Sequence, residues 1–261
     1  MTATQAAHTP IATSKTAALC RVLDVVPKGY LYYTAGTCTA AKAENLAIKF
    51  HALYGIGCSP AQRITRKKHG LANALLVMFW PSRLITDSKS ASASASTLVS
   101  VAEAVPVRQH DQQPEVIPAE LSPGALQDNQ VSWLLLATEG SGAIHEQELL
   151  RSVVETPRLT WLGYELVRHA SRGRARWTWR RTKAEMADWY ALLGEQLNRR
   201  QYAVIGQSLL RISHQPGFSG VREQSWALCQ FARSRGYLDD LPFLFYVQKV
   251  GHGVRLRVSP G

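Results

Sequence analysis

Residues 168–181 read RHASRGRARWTWRR. Six arginines and two tryptophans fill fourteen positions. Such a run is either a cationic aromatic face or a hairpin with a wet side and a dry side. The preceding LTWLGYELVRH (159–169) is strand-like, and SRGR supplies a turn. A two-residue turn at Arg172-Gly173 sets Arg176 opposite His169, Trp177 opposite Arg168, Trp179 opposite Leu166 and Arg180 opposite Glu165. Trp177 and Trp179 then share a face with Leu162, Tyr164 and Leu166, which is a core pattern. Arg176 and Arg180 point the other way, and Glu165 partly neutralises Arg180. The polyanion contacts expected of this stretch reduce to Arg172, Arg174 and Arg176.

Helices follow the hairpin. Thr182 and Glu185 form a capping box that opens AEMADWYALLGEQLN. QYAVIGQSLLRISH is a second helix, and VREQSWALCQFARSRG a third, with Val221, Leu228, Phe231 and Ala232 on one stripe. PFLFYVQKV and GVRLRVSP are expected to close the chain as strands around Gly251-His252-Gly253. Arg255 and Arg257 would share a face there, beside glycines that allow close approach of a ligand.

Upstream, LCRVLDVV (19–26) and YLYYT (30–34) read as strands rich in Val and Tyr. Thr39 is an N-cap for a helix to Tyr54 whose Ala43, Leu46, Ala47, Phe50, Leu53 and Tyr54 recur at helical spacing. SPAQRITRKKHG (59–70) is a short helix with Ser59 at the N-cap, Pro60 at N1 and Gln62 completing a capping box. Arg63, Arg66, Lys67, Lys68 and His69 crowd its end, more cation than the helix dipole calls for. ALLVMFW (74–80) reads as a buried strand.

The resulting class is α+β without a regular strand–helix alternation. Residues 1–17 read as a flexible tail and 18–86 as a basic domain, its strand–helix–strand order compatible with a ferredoxin-like (RRM-like) half carrying a basic helical insert. Residues 87–130, with SKSASASAS and several prolines, read as an acidic linker or long loop. Residues 131–261 form a second antiparallel sheet-and-helix block, opened by the strand VSWLLLAT and a short helix around IHEQELLRSVV.

The chain carries 30 basic and 19 acidic side chains, net +11. Residues 1–86 and 131–261 are positive and 87–130 negative, so two basic blocks flank an acidic spacer. This balance attracts polyanions. The four cysteines lack C-x-x-C spacing and fit a reduced, cytoplasmic setting. No secretory signal or membrane span is read, no metal-ligand pattern or phosphate loop is present, and no cofactor is expected.

One constellation suggests catalysis. His51 lies near the end of helix 39–54, and Tyr30, Tyr32 and Tyr33 come from the strand before it. A histidine–tyrosine pair can act as base and acid when a 2′-hydroxyl attacks its own phosphate. Strand alternation separates Tyr33 from Tyr30 and Tyr32, so at most one set can meet His51.

A Tyr-rich strand before a His-bearing helix, a basic helical insert and a late glycine loop together resemble the crRNA-processing endoribonucleases of CRISPR systems, in particular the plasmid-borne type IV branch. That resemblance implies paired ferredoxin-like folds, an arginine-rich helical finger, and metal-independent RNA cleavage with retention of the product. It would make Tyr33 and His51 the catalytic pair. The expected partner is nucleic acid, RNA ahead of DNA, with protein subunits of a ribonucleoprotein as further partners. Two other classes stay open: a non-enzymatic DNA-binding accessory protein of a plasmid or integrative mobile element, and a structural subunit of a nucleoprotein complex. The latter would dock through Trp189, Tyr190, Phe218 and Trp226.

Overall fold

The computed structural model describes residues 10–12, 14–81, 130–171, 174–247 and 254–255. Its first sheet is mixed and its second antiparallel, so the α+β class holds. The first sheet combines β1 (Pro10–Ala12), β2 (Tyr32–Thr39), β3 (Ala74–Phe79), β4 (Gln130–Ala137), β5 (Arg151–Ser152) and β9 (Val254–Arg255), in the order β5-β2-β4-β3-β1-β9. The second is β6 (Thr160–Trp161), β7 (Tyr164–Ser171) and β8 (Arg174–Arg181).

Residues 18–86 do not form a sheet by themselves. β4, from beyond the acidic segment, lies between β2 and β3 and is antiparallel to both. The two blocks expected on either side of residues 87–130 therefore share one sheet. β5 pairs only with Tyr32 and Tyr33, and no strand lines Thr34–Thr39 on that side among the described residues.

Burial explains β3. All six residues of ALLVMF are buried because both faces of the sheet are covered. Leu75, Val77 and Phe79 join one core, with α1 (Lys15–Val25) and the second sheet. Ala74, Leu76 and Met78 join another, with α2 (Ala40–Tyr54) and the short α4 (Ala143–Gln147). A third core is formed by α5 (Lys183–Asn198), α6 (Tyr202–Ser213) and α7 (Ser219–Ser234).

Residues 19–26 were expected as a strand, but most of that stretch is helical. Ser14 caps α1 by accepting from the Ala17 N–H at 3.1 Å. Ala18, Leu19, Val22 and Val25 then recur at three- and four-residue steps on its buried side. The β-branched valines fit a helix here because tertiary burial outweighs a few tenths of a kcal/mol of propensity. β1 and the start of α1 also fall within residues 1–17, read above as a tail. The helix expected around 144–154 is limited to α4, and residues 242–247 form no regular strand.

Burial pushes the Tyr164 hydroxyl up to about 12, with the Glu185 carboxylate adding to the rise and the Arg181 guanidinium opposing it. A phenol with a raised pKa stabilises the fold fully below its unfolded value and loses that contribution as pH climbs through the folded value. Stability is therefore expected to fall between about pH 10, where an unfolded tyrosine ionises, and about pH 12. Tyr164→Phe should flatten part of that slope in urea titrations at stepped pH. An unchanged slope would show that Tyr164 does not drive it.

Candidate nucleic-acid interface

The hairpin register matches the expected one at every pair: Arg176 faces His169, Trp177 faces Arg168, Trp179 faces Leu166 and Arg180 faces Glu165. Trp179 is fully buried and donates from Nε1 to the Leu19 carbonyl at 3.0 Å, which ties the hairpin to α1. Arg180 Nε meets Glu165 Oε2 at 2.9 Å and is neutralised there. Arg168 and Arg176 are exposed. Arg174 pairs in the ladder with Ser171, and Arg255 pairs with Pro10. Arg172, Arg257 and the Gly251-His252-Gly253 loop lie outside the described residues.

Tyr33 and His51 are not brought together. Tyr33 is buried on the α1 side of the sheet. Burial raises its hydroxyl pKa, with Arg151 beside it opposing the rise. His51 lies on α2, which packs on the other side, and its Nδ1 accepts from the Gly57 N–H at 3.2 Å. The sheet separates the expected acid from the expected base. Tyr32, on the α2 side, meets His145 edge-to-face at 5.2 Å.

The basic helix is α3 (Pro60–Lys68), with the expected capping box in place. Two of its cations serve the fold. Arg63 donates to the carbonyls of Cys58, Ile56 and Ala74 at 3.0, 2.7 and 2.9 Å, and to the Tyr30 hydroxyl. Arg66 donates twice to the Ala72 carbonyl. Arg63, with four of its five donors committed, holds a loop closed and has little left to offer a phosphate, whereas Arg66 commits two. The exposed basic side chains of this helix end are Lys67, Lys68 and His69.

A second basic surface lies where α7 crosses the hairpin. Gly220, in the first turn of α7, lets that helix approach closely: a Cβ there would stand 2.6 Å from the Trp179 carbonyl oxygen. Beyond this contact a groove of about 730 Å³ opens between the hairpin, α7 and the segment 241–244. Across it His169 Nε2 lies 3.5 Å from Glu223 Oε2. Arg222 donates from Nε to the Leu244 carbonyl at 3.1 Å, and its guanidinium stacks 3.5 Å from the centroid of Tyr246. The Val247 N–H donates to the Gly217 carbonyl at 3.0 Å, and a Cβ at Gly217 would overlap the Phe245 carbonyl. These contacts strap residues 241–247 to the start of α7.

Aromatic side chains stand open along this edge. Trp226 is 50% exposed, Phe243 68% and Tyr246 70%. Sequence reading grouped Trp226 with Phe218 as apolar docking surface, whereas Phe218 is core and Trp226 faces the groove. The signal was available, since Trp226 falls off the stripe of Val221, Ser225, Leu228, Cys229 and Ala232 that α7 buries. Phe243 and Tyr246 carried no such signal, because their run resembles a strand.

Among the described residues no three metal-binding side chains cluster, and no helix is long and apolar enough to cross a membrane. Comparison with family models, with curated proteins and with solved structures returns no match.

Proposed function

We propose that this chain binds RNA, holding the phosphate backbone on exposed cations at two places, the end of α3 and the hairpin beside α7. The observation that carries this reading is the placement of Lys67, Lys68, His69, Arg168 and Arg176 at the surface of a chain of net +11. Arg63, Arg66, Arg180 and Arg181 already serve carbonyls or carboxylates. The proposal contains no cleavage step, because the residues expected to perform one lie on opposite faces of the sheet.

Backbone binding of this kind releases counterions and weakens with salt. With about four phosphates neutralised on a single strand, log K should fall against log salt with a slope near −3. The double variant Lys67→Glu/Lys68→Glu should lose about tenfold in RNA affinity and make the slope shallower by about 1.5. Fluorescence anisotropy with a labelled stem-loop RNA and the same sequence as DNA reads both quantities. The proposal fails if the protein leaves the RNA free at about 50 mM salt, where such contacts are strong. It fails equally if DNA is bound in preference.

A further inference from the structure

The groove beside α7 differs from the α3 surface in its chemistry. It sets exposed aromatic rings beside cations, whereas the end of α3 offers cations beside the aliphatic Ile64. We infer that this groove is a stacking site for unpaired bases, so that the RNA taken by this protein is single-stranded there. The inference rests on the RNA-binding reading above and names the form of its ligand.

Four observations support it. Trp226 and Phe243 line one groove, each with at least half of its surface open. Aromatic faces accept any base, and each such stack contributes substantially to single-strand binding. Next, the Tyr246 ring is 70% exposed although Arg222 lies 3.5 Å from its centroid. Its remaining surface is presented by a side chain already held in place, which lowers the ordering cost of a further stacked ring. Third, the phosphates linking such bases find a cation nearby: Arg176 is exposed and stands opposite the groove residue His169, on the same face of the hairpin. Finally, Glu223 is the one carboxylate lining the groove among the described residues, so a phosphate there meets little negative charge. A paired duplex hides its base faces in its own stack and could use only the cations.

The full-length chain is titrated with a twelve-nucleotide oligouridine, a twelve-nucleotide oligoadenylate, and a blunt RNA duplex of the same length. Both single strands should bind about tenfold more tightly than the duplex and quench tryptophan emission, as base–aromatic stacking predicts. Trp226→Ala should weaken single-strand binding about tenfold and leave duplex binding unchanged. Trp226→Phe, which keeps a stacking face, should hold affinity within about threefold while removing much of the quench. Matching far-ultraviolet circular dichroism for each variant excludes misfolding as the cause. Equal affinity for duplex and single strand, with Trp226→Ala unchanged, would overturn the stacking inference and leave the RNA-binding reading standing. Absence of binding to all three at low salt would overturn that reading, and the inference with it.

Discussion

Arg181→Met is expected to cost about 3–5 kcal/mol of stability, the range found when one partner of a buried charged pair is removed. Arg181 ends β8 with its side chain fully buried. Its guanidinium donates to the Val221 carbonyl at 3.1 Å, to Ser225 Oγ at 2.8 Å and to Gln215 Oε1, and lies 3.8 Å from the Glu185 carboxylate. Its backbone exchanges two hydrogen bonds with the Gln224 amide. One side chain thus joins the hairpin to α5, the segment after α6, and α7. Methionine fills similar space but offers no donor, so Gln215 Oε1 and Ser225 Oγ lose the guanidinium and Glu185 loses its strongest opposing charge. Burial already raises the Glu185 pKa, with Arg181 as the chief opposing influence. Without the guanidinium its ionised form becomes costlier still. The melting temperature should fall by about 10 °C, given roughly 2–4 °C per kcal/mol for a domain of this size. Adding Glu185→Leu should recover part of the loss, since it removes the stranded carboxylate. A double variant less stable than Arg181→Met alone would refute the assignment of the cost to an unpaired charge.

Trp179→Ala should cost a similar amount, about 3–5 kcal/mol, for loss of a fully buried indole. Trp179 sits where α1, both sheets and the start of α7 converge. Its loss opens a cavity and leaves the Leu19 carbonyl without the indole donor. Trp179→Phe restores most of the volume but not the hydrogen bond, and should recover more than half of the loss. Chemical denaturation of the three proteins checks this. Equal stability of Trp179→Ala and wild type would mean that the hairpin does not depend on this contact.

The sequence disclosed the hairpin because its constraint is local. A two-residue turn between strands fixes every cross-strand pair, so the placement of Trp179 in the core and of Arg180 against Glu165 followed from counting. The three helices after residue 182 were legible from caps and apolar stripes. The first helix was not, because a run such as LCRVLDVV satisfies strand propensity and helical burial alike. Its cap at Ser14 lay in a stretch taken for a tail. At α3, sequence could count five basic side chains but could not tell which faced inward. Whether Arg63 meets a phosphate or three carbonyls depends on the path of residues 56–58 and 74, set by tertiary contacts. The groove was hidden for the same reason, since its aromatic wall comes from an irregular segment placed by glycine contacts and one guanidinium.

The pairing of β3 with β4 has a consequence for how this chain could have grown. Phe79 and Ser132 are direct neighbours in the ladder, so the two strands are hairpin partners separated by some fifty residues of sequence. A turn of a few residues would connect them equally well. The entropic cost of closing a loop rises only with the logarithm of its length, so roughly a tenfold longer connection costs about 2 kcal/mol. The sheet is therefore a scaffold that admits a passenger at this point. Its acidic segment can lengthen or shorten at modest entropic cost while the ladder on either side keeps its register.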